Sequence, residues 1–367
     1  MRQPNSRNTS GAPDTQHCAV DTDAFGYAGS EAVSLFTLRN SRGMSVSITN
    51  FGGIVTSLVV PDKNGVPADV VIGFDNLQQY IDDGAYIGAL VGPYANRIGN
   101  QGFTLDEVFY PLMTNEGDNT LHSAAAGINK KLWQTEPFCQ SDKCGITLSV
   151  LCSDGEGGFP GNVQITATYT LNNHNELALT FCAITDKATP ISLTSHSYFN
   201  LAGQGSVLDH QLTLQADAIL PVNPQLIPKG SMQSVFGTPF DFRQTKAIGQ
   251  DINQPDEQLT IGSGYDHNYV VPQHCMTLSS PFARVVEPMS GRVMELFTDS
   301  PGVQFYSGNF LTGTGPGKAG IDYQDREAFA LEPQNFPDAP NQPAFPSAIL
   351  QPGDTYECQM IWRFSTV

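Results

Sequence analysis

Apolar and small polar residues alternate with a period of two along several stretches of this chain. Met44, Val46 and Ile48 are separated by serines, and Val163, Ile165, Ala167, Tyr169 and Leu171 by Gln and Thr. Ile146, Leu148 and Val150 repeat the pattern, as do Cys358, Met360, Trp362 and Phe364. A two-residue period sends successive side chains to opposite faces. Each run therefore predicts a strand with one buried and one wetted face, as antiparallel sheets have. β-Branched and aromatic residues fill these runs and suit a pleated surface. Turn signals divide them at Asn64-Gly65, Asp154-Gly155, Pro160-Gly161, Pro301-Gly302 and Pro352-Gly353. One or two helical turns are expected over residues 76–81, and no long segment repeats every 3.6 residues.

Many short strands with Gly and Pro turns predict an all-β fold, a large antiparallel β-sandwich with few short helices. No composition break marks a linker, so residues 26–367 read as one domain behind a flexible tail of residues 1–25. The proline-rich stretch 333–352 reads as an ordered loop. Charge narrows the partners. Lys plus Arg is 18 and Asp plus Glu is 36, a net charge of −18, which repels nucleic acid and anionic lipid and leaves small neutral molecules as ligands. No run approaches the roughly 18 apolar residues of a membrane helix. The N-terminal residues lack the apolar core of a signal peptide, and seven scattered cysteines form no CxxC pair. Both features lead us to expect a cytoplasmic protein with free thiols.

Gly315-Pro-Gly317-Lys-Ala-Gly320 spells GxGxxG and nearly a P-loop. No strand-then-helix context surrounds it and Ala319 replaces the magnesium-binding Ser or Thr, so a flexible surface loop is expected. More chemistry lies in residues 189–201. Read as a strand, this segment puts Ser192, Thr194, His196 and Tyr198 on one face, where a histidine among hydroxyls can exchange protons with a polyol or simply sit in a hydrogen-bonded structure. Glu332, opposite Phe329 and Leu331, is costly on an apolar strand unless it faces a polar cavity, where desolvation would raise its pKa towards that of a general base. Asp266 stands among an amide and two aromatic rings, suited to sugar hydroxyls or to an Asx-type turn. Asn96 and Arg97 offer an amide beside a planar multi-donor group, and His122 follows a turn-like Asn119-Thr-Leu. Two histidines with Asp266 or Glu332 permit a metal site in principle, but no ligand spacing such as HExxH occurs.

These residues fall in motifs that resemble the aldose 1-epimerase family: YANRI (94–98), NTLH (119–122), FPGN (159–162), TPISLTSHSYFNLAG (189–203), GYDHNYV (264–270), PGVQFYSGNFL (301–311) and ALEPQNFPDAPNQPAFP (330–346). The resemblance runs from about Phe51 to Phe364. It implies an antiparallel supersandwich with a sugar-binding cleft, and interconversion of the α and β anomers of galactose or glucose without cofactor or metal, by a monomer or homodimer. By position it implies Glu332 as general base and His196 as general acid, with Asn96, Arg97, His122, Tyr198, Asp266 and Gln304 contacting the substrate. Ser123-Ala124 stands where the family usually has Gly-Gly, so a less flexible turn is expected to shift His122. A glycoside hydrolase pairing Glu332 with Asp266, a non-catalytic sugar-binding module and a sugar-phosphate epimerase are the competing readings.

Overall fold

The computed structural model describes residues 17–367. Its largest unit is a nine-stranded antiparallel sheet in the order Gln134–Cys139, Lys143–Cys152, Val163–Asn172, Glu176–Thr185, Tyr356–Thr366, Arg292–Thr298, Ala283–Val286, Gln211–Leu214 and Lys246–Ala247. The alternation expected over residues 163–171 is present: Val163, Ile165, Ala167, Tyr169 and Leu171 are buried and the residues between them are not. A six-stranded sheet runs Tyr198–Phe199, Phe329–Gln334, Gly302–Tyr306, Asp266–Val270, Ala218–Ile219 and Gln233–Ser234. Side chains of both sheets, among them Leu179, Phe181 and Trp362 from the first and Val303, Phe305, Phe329 and Leu331 from the second, join one apolar cluster. The architecture is a β-sandwich, and its apolar middle is what holds the two sheets face to face.

A third, five-stranded sheet runs from Ala19–Ala28 through Glu31–Arg39, Ser45–Thr49 and Val55–Pro61 to Pro67–Asp69. Its first strand corrects an expectation. Residues 19–25, read as part of a tail, pair antiparallel with residues 35–39 and their neighbours. The strand is mostly exposed, so no alternation betrays it. Its support is the main-chain ladder, together with Phe25, whose ring lies 6.2 Å from that of Tyr80. The rest of that expected tail, residues 1–16, lies outside the described residues.

The two helices are short, as expected. Leu77–Asp82 starts at Asn76, whose side chain accepts from the Gln79 N–H. Glu257–Gly262 is capped by Asp256. The glycine loop expected to be flexible is instead pinned: Lys318 Nζ donates to Asp69 Oδ2 (2.7 Å) and to the Val71 carbonyl (2.8 Å). In the proline-rich stretch, the strand extends to Gln334 and is followed by a 3₁₀ turn, Ala339–Asn341, and a short strand, Ile349–Leu350.

Arg292 fastens the five-stranded sheet to the nine-stranded one. Buried at the start of its strand, it donates to the carbonyls of Val60 (3.0 Å), Leu201 (2.9 Å) and Val66 (2.9 Å). Truncation removes three hydrogen bonds, two of them to buried carbonyls, while the Val66 carbonyl keeps the Asp62 N–H (2.9 Å), so Arg292→Met should lower unfolding stability by about 2 kcal/mol. Urea denaturation checks this, and a loss below about 1 kcal/mol would show that the carbonyls find other partners.

Candidate active site

The outer face of the six-stranded sheet forms the floor of a cleft of about 470 Å³. The pleat decides which residues reach it. In Phe329–Gln334, Phe329 and Leu331 enter the apolar cluster, so Glu332 points the other way, as its position in the run implies. In Gly302–Tyr306, Val303 and Phe305 point inward and Gln304 and Tyr306 outward. Asp266 opens the next strand, opposite Tyr306. It does not sit in an Asx-type turn.

His196 arrives from an irregular wall. Residues 189–201 were expected as one strand; they form three two-residue strands, Thr189–Pro190, Thr194–Ser195 and Tyr198–Phe199, each with a different partner. The breaks occur because the segment crosses from one edge to another. Ser192 and Thr194 are consequently buried away from the cleft, while His196 and Tyr198 line it with ring centroids 4.7 Å apart. Backbone bonds fix His196 on both sides: its N–H donates to the Ala89 carbonyl (2.8 Å) and its carbonyl accepts from Gly88 N–H (3.0 Å). Gly88 has φ +73°, and a Cβ there would meet the Val55 carbonyl at 2.4 Å, so only glycine allows this approach.

His196 Nε2 lies 3.6 Å from Glu332 Oε2, with both side chains almost wholly buried. Glu332 Oε2 has no hydrogen-bond partner among the described residues. Burial pushes the Glu332 carboxyl well above the usual range; Asp266 adds to this and Arg97 opposes it. Burial pushes the His196 imidazole down to about 4. Burial thus disfavours the charged form of both members of the pair. This corrects the expectation of an imidazolium with an ordinary pKa.

His122 also reaches the cleft, 5.4 Å from His196 between ring centroids. With Ser123-Ala124 after it, His122 still lines the cleft. His122, Ser123 and Ala124 all adopt positive φ (53°, 64° and 49°), and Ser123 Oγ holds the turn by accepting from Tyr94 N–H (2.8 Å) and donating to the Tyr94 carbonyl (3.1 Å). His122 Nδ1 accepts from the Asn96 N–H at 3.1 Å, so its proton resides on Nε2. Burial, with His196 and Arg97 nearby, keeps it neutral. His122, His196 and Glu332 bring ligand-type atoms within 4.8 Å of one another. The tautomer works against metal ligation, because His122 presents an N–H where a ligand needs a lone pair.

Asn96, Arg97, Tyr198 and Asp266 line the cleft, as their motifs implied. Gln304 does not. It stands beside Asp266, donating from Nε2 to Asp266 Oδ1 at 2.6 Å and so orienting that carboxylate, while its own Oε1 has no partner among the described residues. Burial raises the Asp266 pKa against the pull of Arg97 and Gln304. Eight lining residues were not named as site residues by the sequence reading, among them Tyr86, Glu116, Tyr306 and Phe310. Tyr86 packs on His122 at 4.5 Å and Glu116 pairs with Arg97. Tyr306 stands in a quoted motif, where its alternation with Phe305 gives the face. Phe310 falls in the same motif, on the turn after the strand, and Tyr86 and Glu116 come from segments without periodicity. A larger adjoining hollow of about 580 Å³, sharing Gly84, Ala85 and Phe310, contains no histidine, so the proton chemistry belongs to the smaller cleft.

An acid–base pair on the floor of a polar, neutral-ligand-sized cleft matches what comparison with known proteins finds. The family model described as aldose 1-epimerase matches residues 34–363. Bovine galactose mutarotase is 42% identical over 342 residues, 92% of this chain and 95% of that protein. The Escherichia coli aldose 1-epimerase is 36% identical, over 90% of this chain and 94% of its own. Among solved structures, an aldose epimerase homologue from C. elegans superposes with a TM-score of 0.84 at 32% identity, covering 92% of this chain and all of that one. A galactose 1-epimerase from Lactobacillus acidophilus gives 0.85 at 26%, covering 95% and 99%. The chain belongs to the aldose 1-epimerase family.

Proposed function

We propose that this protein is a mutarotase that interconverts the α and β anomers of free aldoses such as galactose and glucose. The observation that carries the reading is the buried imidazole and carboxyl of His196 and Glu332, 3.6 Å apart and facing one hollow. A cyclic hemiacetal opens when a proton leaves O1 and another reaches the ring oxygen O5. These two oxygens share C1, so an adjacent base and acid serve both. Glu332 takes the O1 proton and His196, as imidazolium, gives one to O5. The aldehyde turns about C1–C2 and closes on its other face with the transfers reversed.

The site's electrostatics favour opening. The working pair, carboxylate with imidazolium, is the charged tautomer of the one-proton state, and burial disfavours both charges. Transfer to and from the sugar leaves a neutral carboxyl and a neutral imidazole, the forms the cleft prefers. His122 supplies a fixed neutral N–H donor, and Arg97 a cation, for charge developing on the sugar oxygens. Asp266, held by Gln304, orients hydroxyls. Every group named here comes from one chain. The unpaired thiols support a cytoplasmic location, and among the described residues no helix is long and apolar enough to cross a membrane.

Glu332→Gln and His196→Asn should each lower kcat by about 10² to 10⁴ with the fold retained. Polarimetry on fresh α-galactose, with circular dichroism as the fold control, decides; a variant as fast as the parent removes that residue from the chemistry.

The pH profile gives a second check. Activity needs one proton on the pair, so it is lost when a second proton binds the imidazole, whose pKa burial has pushed to about 4. The acid limb of kcat/KM should therefore fall well below the ordinary histidine value of about 6.5, and the alkaline limb above the ordinary carboxylate range. An acid limb at 6.5 or higher contradicts the one-proton assignment.

A further inference from the structure

Arg97 is the one cation among the residues lining the cleft, and it is already occupied. Its Nε donates to Glu116 Oε2 at 2.6 Å and its Nη2 to Glu116 Oε1 at 2.8 Å, a two-pronged pair that uses one whole edge of the guanidinium. The fold builds this pair deliberately into place. Arg97–Ile98 pairs antiparallel with Thr120–Leu121, and Leu121 lies opposite Arg97. Just before that strand the chain reverses in a tight turn, in which Asn119 N–H donates to the Glu116 carbonyl (3.0 Å) and Glu116 N–H to the Asn119 carbonyl (3.2 Å), with Gly117 at φ +59°. The turn returns Glu116 to the side of Arg97. The arginine side chain is 9% exposed and the glutamate 37%, so the carboxylate sits at the mouth and the cation beneath it.

We propose that Glu116 is a specificity-determining residue that neutralises Arg97 and so reserves the cleft for neutral aldoses, refusing sugar acids and sugar phosphates. The inference rests on the mutarotase reading. An anionic substituent must either displace Glu116 from both donors or enter beside it against the charge of Glu116 itself. A sugar hydroxyl pays no such penalty. Arg97 Nη1, which makes no hydrogen bond within the protein among the described residues, remains available to an uncharged oxygen. Glu116 acts here through Arg97 and through its own charge. It exchanges no proton with the substrate.

The test compares galactose with galacturonate, which share a ring and differ by a carboxylate at C6. Polarimetric kcat/KM is measured for both sugars with the parent protein, Glu116→Gln and Glu116→Asp; calorimetric binding of galacturonate covers any variant whose turnover is low. The parent should prefer galactose strongly. Glu116→Gln, which keeps the shape and one acceptor but removes the charge, should narrow that preference by about tenfold or more, the size expected for one charge a few ångströms away at intermediate dielectric. Glu116→Asp keeps the charge and should stay within about threefold of the parent ratio. A purely structural role would lower both rates together, so an unchanged ratio in Glu116→Gln overturns the proposal, as does a parent protein that turns over both sugars equally. A parent protein inert towards galactose would instead overturn the mutarotase reading, and this inference with it.

Discussion

The structure depends on keeping an imidazole and a carboxyl close together out of water. Each group alone resists being charged there: burial pushes His196 down to about 4 and Glu332 well above its usual range. Placed 3.6 Å apart, they form a pair whose neutral state burial favours on both sides without making it inert. That state returns when a sugar has given one proton and received another. The same burial that destabilises the charged form of the pair therefore drives proton exchange with the ligand.

Holding this arrangement is a task divided between rigid and irregular parts of the chain. Three neighbouring strands of the six-stranded sheet supply Asp266, Gln304 and Glu332 at matched positions, Gln304 lying directly opposite Glu332. Their reverse sides, Phe305, Phe329 and Leu331, are locked in the apolar middle of the sandwich, so the polar side chains cannot shift without disturbing the core. His196, His122 and Arg97 come from short paired segments across the cleft, each fixed by main-chain bonds rather than by long strands. Positive φ at three successive non-glycine residues, 122 to 124, is strain that Ser123 offsets with two hydrogen bonds to Tyr94.

What could be read from the sequence follows this division. The strand Val163–Asn172 and the outward face of Glu332 were legible because a two-residue period records burial on one side. The helix after Asn76 was legible from its length and composition. The strand Ala19–Ala28 was not, because backbone bonding carries it and its side chains are largely wet. The breaks within residues 189–201 follow from changes of partner, which no local pattern encodes. The face of Gln304 was legible, but its hydrogen bond to Asp266 was not, since that diagonal reach crosses between strands. Tyr86, Glu116 and Phe310 lie on loops, where position is set by contacts distant in the chain.

The most direct test of how burial sets the pair's charge is an NMR titration of the His196 ring nitrogens between pH 3 and pH 8. The account predicts a neutral ring at pH 6 that charges only near pH 4, and that loses this protection when Glu332 is replaced by alanine and water enters. A ring that is already imidazolium at pH 6 in the parent protein would contradict it, because burial would then not be holding the ring neutral.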